Sequence, residues 1–288
     1  MRLKVKRIKE IIGFGILHGC MLVVLMILAV IVYDIVSKGS GVISWDFLTQ
    51  PPVDGMTKGG IFPAILGTFL VTIMTAVLAV PLGMGCAIYL NEYARDDGLT
   101  RFIRLSIRNL SGVPSIVFGL FGVALFVDAC HFGTSILSAG ATLGLMTLPL
   151  TITASEEALK TVPRSYREGA LALGATKWQA IRYNVLPLAI PGILTGTILG
   201  LSRAAGETAP ILFTGAAFFL PDVPNSILSQ FMALPYHLYI MSTQHHNIAL
   251  VRPIAYGTAL VLIVLVFLMN LVAVIIRYRL RKKGTAHG

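Results

Sequence analysis

Apolar residues along this chain of 288 residues come in long runs that recur from Ile11 to Ile276, with no long polar block between them. A bilayer core about 30 Å thick needs roughly 20 helical residues, with a usual range of about 17 to 25. Six runs meet that length, at about 11–36, 62–91, 110–130, 136–156, 188–219 and 253–277. The pattern predicts an all-α membrane protein with six transmembrane helices, organised as a single transmembrane domain over residues 1–288. An even number of spans puts both termini on one side. The first run follows the charged segment MRLKVKRIKE and continues to about Val36. That exceeds the roughly 7–15 residues of a signal-peptide core, and no A-x-A site follows, so the run reads as an uncleaved first span.

Charge decides the orientation. Cytoplasmic loops retain Lys and Arg, while short outer loops are depleted of them. Arg2, Lys4, Lys6, Arg7 and Lys9 precede the first span, and Arg95, Arg101, Arg104 and Arg108 follow the second. Lys160, Arg164, Arg167, Lys177 and Arg182 follow the fourth, and Arg277, Arg279, Arg281, Lys282 and Lys283 follow the sixth. The opposite loops hold Lys38, Lys58 and Arg252. Both termini are therefore expected in the cytoplasm, with the protein multi-pass in the cell's inner membrane. Of the 23 Lys and Arg residues, the one that topology leaves unexplained is Arg203, inside the fifth run.

Composition fits the same picture. The chain is 56% hydrophobic and 12% charged, with a mean hydropathy of +0.81, against about one quarter charged in a soluble domain. A net charge of +10 in a soluble protein would raise nucleic acid as a partner; here the basic residues cluster between apolar runs, and the phospholipid membrane explains them. Cys20, Cys86 and Cys130 fall in three different runs and read as small buried hydrophobes. His237, His245 and His246 lack a carboxylate or Cys at metal-ligand spacing, so no metal site is assigned. Trp45, Tyr236 and Tyr239 in the outer loops suit interfacial anchors or a docking surface for an outside partner. Glu156 and Glu157, adjacent at the inner end of a span, read as solvated.

The cytoplasmic loop at about 157–187 is internally structured. Pro163 suits a helix start, Ser165 with Glu168 makes a capping-box pattern, and Gly174 permits a turn after a short helix at about 164–173. Thr176 with Gln179 opens a second helix. The order of residues resembles the EAA loop of ABC-importer permeases: Glu168, Ala170, Gly174, Leu186 and Pro187 stand at matching positions. Gly169 replaces the second family residue, Asn184 stands where Ile is usual, and Ala175 follows the conserved-pattern glycine. In that family the loop is a coupling helix that docks into an ATPase subunit. WDFLTQPP, GGIFPAILGTF, SGVPSIVFGL and SRAAGETAP extend the likeness along nearly the whole chain, to the PstA-type permeases of phosphate importers.

The resemblance implies a type I ABC-importer permease fold with a cytoplasmic coupling helix. It also implies a heterodimer with a homologous PstC-type permease, two PstB-type ATPase subunits and a PstS-type phosphate-binding protein outside the membrane. No cofactor is expected in this chain, ATP being used by the partner subunit. The chain contains no G-x-x-x-x-G-K-[ST], so it has no P-loop nucleotide site of its own. It likewise has no G-x-S-x-G or H-E-x-x-H, so no catalytic residue is assigned.

Arg203 and Glu207 are one helical turn apart and share a face. Two roles stay open for them: an ion pair that locks the fifth span, or a guanidinium that offers paired hydrogen bonds to phosphate in a translocation path. Ser202 and Thr208 would line that path, and Ala204, Ala205 and Gly206 let a ligand or helix approach closely. In the third span Pro114 loosens the helix, with Ser111 and Ser115 placed to satisfy freed backbone groups. A permease for another oxyanion or small solute is the alternative substrate reading. A secondary transporter acting alone would call for inverted repeats, which the chain does not display.

Overall fold

The computed structural model describes the backbone of residues 2–285 and the side chains of residues 13–279. The side chains of Arg2, Lys4, Lys6, Arg7, Lys9, Arg281, Lys282 and Lys283 lie outside the described residues. Helix α1 (Arg2–Gly39) stands away from the rest, its apolar side chains exposed from Phe14 to Tyr33. It meets the bundle near its last turn, where a Cβ on Gly39 would lie 2.7 Å from the Tyr256 carbonyl. A short helix α2 (Trp45–Thr49), capped by Ser44, and a two-rung hairpin of β1 (Pro52–Val53) and β2 (Lys58–Gly59) lead into α3 (Phe62–Ile88).

A π turn over Tyr89–Tyr93 ends α3. Asp97 then caps α4 (Gly98–Leu110) by accepting from the Thr100 amide. Next come α5 (Ser115–Gly122), continued as a π segment over Val123–Ala129, and α6 (Ile136–Lys160). Helices α7 (Arg164–Ala172) and α8 (Lys177–Ala180) form the projecting loop, and α8 runs through a π turn into α9 (Leu186–Ala205). Short helices α10 (Ala209–Thr214) and α11 (Leu234–Thr243) precede α12 (Ile248–Thr285). Among the described residues, five helical stretches are long and apolar enough to cross a bilayer, and α4 with α5, bent by 104°, makes a sixth candidate.

Small residues set the centre of the bundle. Gly140 of α6 faces Met74 of α3, Gly144 faces Leu78 and Ala79, and Gly83 faces Thr151, so α3 and α6 run parallel in close contact. On the other side of α6, Gly192, Gly196 and Gly200 of the antiparallel α9 face Ala158, Ala154 and Leu150. A Cβ on Gly196 would stand 2.1 Å from that of Ala154, a separation that only glycine allows. Lipid tails give no hydrophobic drive between helices, so close packing of this kind is what holds them. Buried Thr68, Thr72, Thr75, Thr142 and Thr151 return their hydroxyl protons to carbonyls one turn back, leaving little polar cost inside the bundle.

Several expectations change here. The run at 188–219 is not one helix, because α9 stops at Ala205. The run at 110–130 begins with a sharp bend over Ser111–Pro114, and turn bonds to the carbonyls of Arg108, Asn109 and Leu110 satisfy that backbone without the serine side chains. The stretch at 220–252 is more than an outer loop: α11 buries Leu234, Tyr236, His237, Ile240 and Met241, so Tyr236 is core and not an interfacial anchor. Trp45, 79% exposed, keeps a surface position. Cys20 is exposed on α1, which stands away from the bundle, Cys86 is half-buried on α3, and Cys130 is exposed in the turn that follows the π segment. Glu156 is buried at 6% exposure against Arg104 and Lys160, while its neighbour Glu157 stays exposed.

Candidate functional site

The break after α9 has a local cause. Continuing the helix would set the Pro210 ring against the Gly206 carbonyl and leave that carbonyl without a donor. The chain instead closes α9 with short bonds from the Gly206 and Glu207 amides to the carbonyls of Arg203 and Ala204, then restarts as α10 with Pro210 in its first turn. Gly200 lies against Leu150, and Arg203 shares a cleft with Met146 and Leu150. Those residues stand at the middle of α6, so the break falls at mid-depth of the bundle, where a charge is costly.

The second break meets the first there. Leu110, Ser111 and Val113 of the α4–α5 bend, with Phe118, complete the cleft around Arg203. Its volume is about 70 Å³, room for two or three waters at ~30 Å³ each. Beyond it, Gly119 of α5 packs directly on Ala209 and Pro210 of α10, which joins the two broken elements.

Arg203 Nε donates to Glu207 Oε1 at 3.3 Å, across the end of the helix. The arginine side chain is 60% exposed and the carboxylate 17%. Among the described residues neither Nη1 nor Nη2 of Arg203 has a partner. The outer edge of the guanidinium, the edge that makes forked bonds to an oxyanion, is therefore unpaired, on a side chain that lines the cleft. Ser202 leaves this group: one position earlier on α9 turns it away from Arg203, and its hydroxyl bonds Ile198 and Asn270 of α12. Thr208 stays beside the break, half-buried, with its carbonyl closing the first turn of α10. The apolar walls Met146, Leu150, Val113 and Phe118 carry no mark in the sequence that would single them out.

At the basic end, α7 and α8 project from the bundle. Gly174 joins them at φ +85°, in the left-handed region, so a side chain there would be strained. Thr176 and Gln179 exchange backbone-to-side-chain bonds as a capping box. The other expected box does not form, because Pro163 occupies the cap position and places Ser165 inside α7. Glu168, Gly169 and Gly174 are exposed, Ala170 and Ala175 half-buried, and Leu186 with Pro187 opens α9. Leu173 is 91% exposed, with Tyr166, Leu171 and Trp178 about half exposed beside it. This is an apolar surface on a rigid projection. Among the described residues no three His, Cys, Asp or Glu side chains come together as a metal-ligand group.

A helical bundle broken at mid-depth, with one arginine at the break and a capped apolar projection at its basic end, defines a membrane permease subunit. Residues 79–283 match the family of binding-protein-dependent transport system inner membrane components. The chain is 31% identical to the "Probable ABC transporter permease protein YqgI" of Bacillus subtilis (strain 168), over 98% of this chain and 99% of that one. It is 32% identical to the "Phosphate transport system permease protein PstA 1" of Mycobacterium tuberculosis (strain CDC 1551 / Oshkosh), over 95% and 90%. Among solved structures it resembles a bacterial ABC transporter that imports the acidic polysaccharide alginate, with a TM-score of 0.66, 13% identity and coverage of 97% and 99%. An inward-facing MetNI methionine ABC transporter matches with a TM-score of 0.61, 17% identity and coverage of 75% and 94%. The chain belongs to the binding-protein-dependent inner membrane permeases of ABC importers, and its fold is that of the type I importers.

Proposed function

We propose that this chain is a phosphate-translocating permease subunit, in which Arg203 handles the anion and Glu207 holds Arg203 between passages. The observation that carries the reading is the open Nη edge of Arg203 at a double helix break in mid-membrane. Phosphate accepts forked, charge-assisted bonds from that edge. The small bonding area with Glu207, a single contact at 3.3 Å, is one that an anion can displace. Relatives named as phosphate transport permeases support the choice of phosphate over another oxyanion.

In this reading the basic end of the bundle, with both termini, faces the cytoplasm. The surface around Leu173, with Glu168, Gly169, Ala170, Gly174, Ala175, Leu186 and Pro187 as its frame, docks a separate ATPase of the PstB type. A PstC-type permease completes a heterodimer, and a PstS-type binding protein delivers phosphate to the outer face. The chain supplies no P-loop, so nucleotide chemistry stays with the partner. The test is co-purification of the chain with an ATPase, followed by ATP hydrolysis and phosphate uptake in liposomes on adding phosphate-loaded binding protein. Stimulation by a binding protein loaded with another oxyanion, and not with phosphate, would sink the substrate assignment.

A further inference from the structure

Two arginines at the basic end each fork between the same two helices. From α7, Arg167 donates to both carboxylate oxygens of Glu92 at the end of α3, with Nη2 at 2.6 Å from Oε1. Its terminal nitrogens also bond the carbonyls of Val162 and Leu159, at 2.8 and 3.0 Å, at the end of α6. From α4, Arg104 bonds the Leu90 carbonyl at 2.8 Å, again at the end of α3, and pairs with Glu156 of α6 at 2.9 Å. Glu92 and Glu156 are nearly buried, at 6% and 9% side-chain exposure. Two charge-assisted clamps thus share the ends of α3 and α6, one tying them to α7 of the projecting loop and the other to α4.

The two clamps differ in quality. Arg167 makes in-line hydrogen bonds on both edges of its guanidinium, so α7 is fixed to the end of α3. Arg104 Nε and Glu156 Oε1 are close but out of line for a hydrogen bond, so the pair keeps its Coulomb attraction over a range of angles. Helix α4 then runs from this pivot to Leu110 and Ser111, which wall the cleft beside Arg203.

We propose that Arg167 and Arg104 are positioning residues of a relay: α7 moves the ends of α3 and α6 through Arg167, and Arg104 converts that movement into a swing of α4 that opens or closes the cleft at Arg203. The inference rests on the reading above that α7 docks an ATPase and that the cleft is the passage. It assigns α4, and not the directly continuous α9, as the lever.

The test uses the whole transporter in liposomes, with both permease chains, the ATPase and the binding protein. Val113→Cys in a chain with Cys20, Cys86 and Cys130 replaced by Ala reports cleft opening through its rate of thiol labelling. Vanadate-trapped nucleotide should change that rate when no other residue is altered. Arg104→Gln should shrink the change about two- to thirtyfold, the range that substitutions along a coupling path produce, with the ATPase still bound. Arg104→Lys keeps the charge facing Glu156 and loses the fork to Leu90, and it should also cut the response; it serves where Arg104→Gln does not assemble. Glu92→Arg with Arg167→Glu should recover part of what either exchange alone removes, because the pair between α3 and α7 returns while the bonds to the Val162 and Leu159 carbonyls do not. Labelling that still follows nucleotide in both Arg104 variants overturns the relay, as does a paired exchange no better than the single ones. If the unaltered transporter shows the labelling change but no phosphate uptake, the substrate reading fails and the relay stands.

Discussion

At the scale of single residues, the proposed function gives Arg203 and Glu207 separate roles. Charge-assisted hydrogen bonds contribute about 1.5–3 kcal/mol each, so Arg203→Gln should lower phosphate uptake by roughly two orders of magnitude with the transporter assembled. Arg203→Lys keeps the charge without the fork and should recover only part of it. Glu207→Gln removes the group that competes with the anion for the guanidinium; the Michaelis constant for uptake should fall, and a rise would sink the competition. Away from this site, His237 is buried on α11, its Nδ1 without a partner, and burial pushes its pKa down from 6.5 to about 4. Below pH 6.5 the unfolded chain takes up a proton that the folded chain refuses, so stability is full above that pH and is lost as the pH falls toward 4. The loss amounts to about 3 kcal/mol at most. His237→Leu should flatten the fall in melting temperature across this window.

At the scale of helices, the spans were legible because apolar runs have the length a bilayer demands, and Pro114 marked a loosened helix, but the extent of the breaks, a 104° bend and a new helix after Ala205, was not. Pro114 and Pro210 are plain in the sequence, yet the stretches beyond each turn apolar again, so a run counted by length alone carries through the breaks. The burial of Glu156 needed a partner on another helix, Arg104, that no local pattern supplies. Helix α11 escaped notice because its ten residues are too few to make a span and lie among Pro and Asn. Arg203 was legible by exclusion, and the loop at Gly174 by its caps. Packing between α6 and α9 gives a direct check: Gly196→Val drives a side chain into Ala154, with a Cβ separation of 2.1 Å to relieve. Overpacking of that kind costs about 1–3 kcal/mol, and the melting temperature should drop. Gly85→Ala, with nothing within 4 Å of the added carbon, should not lower it.

At the scale of the whole molecule, the proposed function puts the passage and the drive at different places, and they should fail differently. The cleft at Arg203 is narrow, about 70 Å³, so a passage there would require the two broken elements to part. On the proposed function, the work for that comes from an ATPase seated on the α7–α8 projection. Leu173 is 91% exposed on a loop held rigid by the Arg167 clamp and the Thr176 capping box, which leaves its side chain ready for a partner's pocket at little ordering cost. Burying such a side chain contributes about 1.5–3 kcal/mol. Leu173→Asp also sets a charge against that pocket, so ATPase binding should weaken by at least about tenfold. The ratio of ATPase to permease on purification should drop, and uptake should drop with it. Arg203→Gln should lose uptake while that ratio stays at the level of the unaltered chain. If Leu173→Asp kept both the ratio and the uptake, the ATPase would have to dock elsewhere on the basic end, and the division of labour between projection and cleft would fall.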